Sequence, residues 1–403
     1  MTIPLIVYKS LRQHAFSSVI TGLSIALAGA LLMSVWSVKE QSHAAFTGLT
    51  GGFDAVLGVR SAKLQLVLNA IFHIEESPGN LALADYQEIQ KNPNVQLAVP
   101  IAMGDNYRGY RLVGTTLEMF SQAEFAPGQR YRVRTPGRVF DPTAREAVVG
   151  SFVAQKLGLK RGDEIHPYHG LHFDEEKEHA EDYIVVGILE PSNTPADRVI
   201  WIPLEGIQKM TGHDPKAATD LSAVLVKLKA GSAIAGQRLN LMYNKEGSRL
   251  TFAWPIGQIM AQLFNKIAWF DHVLALVAYL VAMVATGSIL ASIYNSMNER
   301  RREIAILRAL GARRSTIVSA IILEAAAIAA LGMLAAFAGY FAIMTAVTSI
   351  VRAQTGVLLN PSAFHNVMVW APLAMIGLSA LAGIIPAMKA YRTDVAENLT
   401  PIS

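Results

Sequence analysis

Imidazoles and carboxylates crowd one short stretch of this 403-residue chain, His166-Pro-Tyr-His-Gly-Leu-His-Phe-Asp-Glu-Glu-Lys-Glu-His179. Four of the ten histidines, His166, His169, His172 and His179, fall within it, beside Asp174, Glu175, Glu176, Glu178 and Glu181. Imidazole nitrogen and carboxylate oxygen together suit zinc and similar divalent ions. The His-x-x-His-x-x-His spacing matches no closed structural zinc pattern. Two readings therefore stand: a solvated polar insertion between two strands, or a loop that binds a divalent metal weakly. A hydrolytic metalloenzyme fits less well, because catalysis needs ligands fixed on a rigid scaffold.

Two further groups of residues carry chemistry of a different kind. Glu324 is the only Asp, Glu, Lys or Arg between Ser315 and Val351. A carboxylate inside such an apolar run costs roughly 3 kcal/mol unless it is paired or sits near headgroups. Pairing with a neighbouring arginine, or placement near the interface, explains it more simply than an ion relay. The third group is the run Asn298 to Ile317. There Glu299, Arg300, Arg301, Arg302, Glu303, Arg308, Arg313 and Arg314 are mixed with Ile304, Ile306, Leu307 and Leu310. One side of such a helix is charged and the other can pack. Gly311 supplies the left-handed residue that ends a helix, and Ser315 is placed to cap the next. The run is either a solvated turn that obeys the positive-inside rule or a docking helix for a soluble partner.

The elements that must position these groups follow from the charge pattern. The chain is 52% hydrophobic and 16% charged. No Asp, Glu, Lys or Arg occurs between Arg12 and Lys39, from His272 to Asn298, or from Ala353 to Met388. A bilayer core needs roughly 20 apolar residues in a helix, so four spans are expected, near 16–38, 269–294, 316–350 and 367–385. Residues 1–13 read as an interfacial helix, and the first apolar run reads as a retained anchor because it is too long for a cleavable signal. The net charge of +4 does not point to nucleic acid, because the cations gather at span ends: Lys9, Arg12, the 300–314 cluster, Lys389 and Arg392. Taking those ends as cytoplasmic puts both termini inside and residues 39–266 outside.

Residues 39–266 are charged and turn-rich, with strands expected at 95–101, 110–115, 146–149, 183–189, 199–202 and 222–229. Helices are expected at 83–91, 151–157, 204–210 and 232–243. Strands and helices alternate, so the outer part should be α/β or α+β. The fold class is thus an α-helical membrane protein with four spans and an extracytoplasmic α/β domain between the first two. Its divisions are 1–38, the interfacial helix and first span; 39–266, the outer domain; and 267–403, three spans with a cytoplasmic coupling helix at 298–314.

This layout resembles the MacB/FtsX/LolC-type permeases of ABC transporters. The run Glu299 to Ala312 is similar to that family's cytoplasmic loop, and Gly383-Ile-Ile-Pro-Ala-Met-Lys-Ala-Tyr-Arg392 to its closing Pro-Ala-x-x-Ala pattern. Val148 to Asp163 and Val185-Val-Gly-Ile-Leu189 resemble its outer core domain. The resemblance implies a permease subunit without catalysis of its own, acting in a bacterial inner membrane with residues 39–266 periplasmic. It implies a partner ABC ATPase that holds the ATP and docks on Glu299, Arg300, Arg301, Glu303, Ile304, Leu307, Arg308, Leu310 and Gly311. A second permease copy, membrane lipids, and a periplasmic adaptor or lipoprotein are the other implied partners. No phosphate-binding Gly-x-x-x-x-Gly-Lys-Ser/Thr motif occurs in these residues, so the ATPase is expected on another polypeptide and no cofactor on this one. The alternative within the family is a mechanical regulator of a periplasmic partner.

Overall fold

The computed structural model describes residues 3–170, 173–174, 178–211, 218–231, 233–309 and 311–391, with the backbone alone at 271, 292, 295–305, 307, 309 and 389–391. Two compact units form. One is drawn from Met1–Gln41, Ala268–Ser349 and Asn360–Ser403, the other from Ser42–Ile267 and Ile350–Leu359.

In chain order the elements are α1 (Ile3–Gln13), α2 (Ala15–Gly48), β1 (Ala55–Val59), α3 (Lys63–Ala70), β2 (Leu81–Ala82), α4 (Leu83–Gln90), β3 (Val95–Tyr107) and β4 (Tyr110–Thr115). Then come α5 (Glu118–Ser121), β5 (Glu124–Ala126), β6 (Gln129–Arg130), β7 (Glu146–Val149), α6 (Ser151–Leu157), β8 (Glu164–Ile165), β9 (Tyr168–His169), β10 (Tyr183–Ile188) and β11 (Ile200–Pro203). The chain continues through α7 (Leu204–Gln208), β12 (Asp220–Leu221), β13 (Ala223–Leu228), α8 (Ala233–Leu241) and β14 (Leu250–Ala253). It closes with α9 (Ile256–Ala309), α10 (Arg314–Thr355) and α11 (Val367–Tyr391).

The outer unit is built on a mixed sheet in the order β14-β1-β13-β3-β4-β11-β7-β10-β8, with β9 pairing β3 outside that path. Most neighbours run antiparallel; β11 with β4 and β10 with β7 run parallel. Both faces are covered, which is why the strands read as continuous apolar runs instead of clean alternation. On β13, Leu225 faces a core with Phe53, Val99 and Trp201, while Val224 and Val226 face another with Leu239 and Phe252. On β11, Trp201 joins the first core; Ile200 and Ile202 join a third with Val153 and Val185.

Ile350–Leu359 belongs to this unit. Val357 and Leu359 are buried, Arg198 donates a hydrogen bond to the Gln354 carbonyl, and Arg352 lies over the Phe152 ring at 5.6 Å. Gly356 has φ 76°, and a Cβ there would sit 3.0 Å from the Thr194 carbonyl oxygen, so this turn calls for glycine twice over.

In the other unit, four helices among the described residues are long and apolar enough to cross a membrane: α2, the Ile256–Ala291 part of α9, α10 and α11 up to Met388. Their core is rich in small residues, including Ala28, Ala325, Ala329 and Ala336. Small side chains let helix backbones approach and gain dispersion contacts where lipid gives no hydrophobic drive. A Cβ on Gly332 would meet the Gly22 carbonyl oxygen at 2.8 Å. At one end Trp36 meets Trp370 edge-on at 5.6 Å, Gln41 accepts from the Asn360 N–H at 2.7 Å, and His365 lies 3.2 Å from Glu40.

Two helices run beyond the sequence expectation. α2 continues to Gly48, ten residues past the expected end of the first span. α9 starts at Ile256 instead of 269 because Pro255 opens it and Ile256, Ile259 and Met260 are buried in the outer core. Their polar neighbours Gln258, Gln262 and Asn265 hide this stretch from a search for uniformly apolar runs.

Candidate functional site

The histidine stretch is tied to the core sheet by its backbone. His169 on β9 pairs in register with Asp105 on β3, and Tyr168 with Asn106. Asn106 Nδ2 donates to the carbonyls of Tyr168 (3.3 Å) and Gly170 (2.9 Å), and its Oδ1 accepts the Gly109 N–H. On the far side of β9, Tyr168 bridges Glu178 and the His179 N–H donates to the Pro167 carbonyl at 2.9 Å. Three adjacent lengths of backbone thus bring Asp105, His169 and His179 together.

The side chains converge on one oxygen. Asp105 Oδ1 lies 3.1 Å from His179 Nε2 and 3.3 Å from His169 Nδ1. The Asp105 side chain is fully buried, that of His179 nearly so, and that of His169 is 54% exposed. The two rings stand 5.5 Å apart at 74°. One ligand atom from each residue lies within 4.8 Å of the others. Behind His179, its Nδ1 lies 2.7 Å from the Thr211 carbonyl. Thr211 is itself held by Glu181, which accepts its N–H at 2.9 Å and its hydroxyl. Burial works against the Glu181 charge, but the two hydrogen bonds from Thr211 and the charge of Arg145 outweigh it and hold the carboxyl below the usual range.

Of the four expected histidines, His169 and His179 come together. His166 instead pairs with Asp182, Nδ1 to Oδ1, at 2.5 Å, and His172 lies outside the described residues. Asp105 was not expected. Its signal is faint but present: an acid two residues past the apolar run that ends at Met103, on the same strand.

The basic run is the last stretch of α9, which continues without a break through Glu299, Arg300, Arg301, Glu303, Ile304, Leu307 and Arg308 to Ala309. It is therefore not a separate short helix. Ile306 is exposed, and Leu310 lies outside the described residues. Gly311 has φ 93° and its N–H bonds the Arg308 carbonyl, as expected of a helix end. Ser315 does not cap: α10 already begins at Arg314, and the Arg313 carbonyl accepts from Thr316 and Ile317. Glu324 sits on the buried face of α10, next to Ile321, Ala325 and Ile328.

Two family models match successive parts of the chain. The family model of the MacB-like periplasmic core domain matches residues 18–236, more than half of the chain. That of the FtsX-like permease C-terminal region matches residues 275–395. The macrolide export ATP-binding/permease protein MacB of Bordetella avium is 23% identical over 223 residues, 53% of this chain, and the match spans only 33% of that relative's length. Among solved structures, the periplasmic region of MacB from Actinobacillus actinomycetemcomitans is 11% identical, covering 54% of this chain and 94% of its own, with a TM-score of 0.37. The extracellular domain of the transporter YknZ from Gram-positive bacteria is 15% identical over 50% of this chain and 98% of its own, with a TM-score of 0.31. With one family model filling the first span and most of the outer domain and the other the last three spans, the chain belongs to the MacB/FtsX-type permeases of ABC transporters.

Proposed function

We propose that this chain is the non-catalytic permease subunit of a bacterial inner-membrane ABC transporter, passing motion from a partner ATPase to its outer domain. The observation that carries this reading is α9. It is one helix of 54 residues, buried at its start in the core of the outer sheet and ending inside the basic run. At 1.5 Å per residue it is about 80 Å long, against about 30 Å for a hydrocarbon core. A rod of that kind carries a push or tilt from one side of a membrane to the other without a tunnel. The distribution of Lys and Arg supports cytoplasmic termini and a cytoplasmic end to α9. A second copy of the chain completes the assembly, with ATP held by two partner subunits. Export or extraction of an amphipathic compound is the activity this arrangement serves, of which the macrolide export named for the Bordetella relative would be one case.

The docking role falls on Ile304, Leu307 and Leu310, spaced three apart, with Arg300, Arg301 and Arg308 around them. A central apolar anchor should matter more than any rim charge. Leu307→Asp is expected to leave membrane insertion intact and abolish co-purification of the ATPase, while Arg301→Ala weakens it only modestly. Undiminished co-purification with Leu307→Asp would remove the basis for docking here.

A further inference from the structure

The tautomer of His179 is set by its neighbour. A backbone carbonyl can only accept, so the 2.7 Å contact with the Thr211 oxygen puts the proton on Nδ1. The neutral ring then presents the bare Nε2 electron pair to a carboxylate oxygen 3.1 Å away. Two electron pairs held face to face need a cation between them, either a proton or a metal ion. A proton satisfies that pair as an ordinary hydrogen bond, whereas a metal ion satisfies it and gathers further ligands. A second imidazole, His169, converges on the same oxygen.

We propose that Asp105, His169 and His179 form an exchangeable binding site for a divalent first-row transition ion of the zinc class on the outer domain. The spacing fits. With metal–ligand bonds near 2.0 Å, neighbouring ligand atoms in a tetrahedral site lie about 3.3 Å apart; the two Asp105 contacts are 3.1 and 3.3 Å. Two imidazoles with one carboxylate favour zinc and its neighbours over calcium or magnesium. The Thr211 carbonyl behind His179, steadied by Glu181, is the outer support that metal-bound histidines generally have. Among the described residues three ligands converge, and the half-exposed His169 places the site at the surface. The ion ties both ends of the acid-rich segment between residues 169 and 179 to β3 in the core.

The test uses the full chain in detergent, carrying a purification tag without histidines, stripped with chelator and dialysed. Zn²⁺ is titrated calorimetrically, and Co²⁺ by its visible absorption, which reports a low-coordinate nitrogen and oxygen environment. The expected result is saturable binding of a single ion per chain and a rise in unfolding temperature with zinc. His169→Ala and Asp105→Asn are expected to weaken binding by roughly a hundredfold or more, beyond the loss typical of outer-shell changes. His166→Ala, whose ring is paired with Asp182, should bind like the parent. Because His169 is half exposed, His169→Ala should unfold at the parent's temperature in chelator and gain nothing from zinc. No saturable binding by the parent overturns the proposal. So does parent-like affinity in both Asp105→Asn and His169→Ala, or an equal loss in His166→Ala, which would spread binding over the histidine stretch.

Discussion

His73 should make the outer domain measurably weaker in mild acid. It ends the turn after α3 with φ 55°, its ring stands edge-on to Trp201 at 5.8 Å, and its Nδ1 is shut off from solvent. Burial, reinforced by the positive charges of Arg111 and Arg198, pulls its pKa from the usual 6.5 down to about 3. In the unfolded chain the ring takes up a proton near pH 6.5; in the folded domain it stays neutral to about pH 3. The unfolded state therefore binds more protons throughout that window, so stability falls as pH falls from 6.5 towards 3. Between pH 7 and pH 5 the loss from this one group is about 2 kcal/mol, at 1.36 kcal/mol per unit. His73→Asn removes the titration and tolerates the positive φ. Urea unfolding of the full chain in detergent, at pH 7.0 and pH 5.0, can be read by pulsed hydrogen exchange in the peptide containing Trp201. The parent should lose about 2 kcal/mol more than His73→Asn between the two conditions. Equal losses, within about 0.5 kcal/mol, would show that the ring is not held neutral by its surroundings.

Two other substitutions test the packing. Gly332→Val drives a side chain into the Gly22 carbonyl and Ile25 and should cost roughly 1–3 kcal/mol or more, seen as a lower unfolding temperature in detergent. Gly377→Val, with nothing within 4 Å of its added Cβ, should unfold like the parent. Asp197 is buried and accepts from the Ser192 N–H at 3.0 Å, the Ser192 hydroxyl at 2.8 Å and the Asn193 N–H at 2.9 Å. Asp197→Ala strands these donors and should destabilise the outer domain by roughly 2–4 kcal/mol, measured by the same exchange experiment.

The spans and most outer strands were legible because each is a long signal with its own boundary. Tyr110–Thr115 and Glu146–Val149 lie as expected, and α6 stops at Gly158, whose φ is 70°. β1 and β14 were missed. Each is only four or five residues long and buried on both sides, too short a stretch for its pattern to mark it as a strand. In β1, Gly58 leaves room for Leu66, whose side chain would lie 2.3 Å from an added Cβ; a glycine in so short a run lowers its β signal. The candidate site was half legible. Clustering in sequence drew attention to four histidines, but a ligand set is made by strand pairing, and Asp105 lies 74 residues from His179. Nearness along the chain also grouped His166 with the others, although its own neighbour Asp182 claims it.

The Ile350–Leu359 segment changes what counts as a separable part. The polypeptide passes between its two units four times, near residues 41, 267, 349 and 359. A fragment cut at the obvious limits, 42–267, would lose the strap that buries Val357 and Leu359 and that Arg198 holds. It would expose apolar surface native to the intact fold. A hybrid that exchanges outer domains between relatives faces the same geometry. It has four seams to join, and grafting the large insertion without its ten-residue companion would leave the new domain resting on a foreign strap.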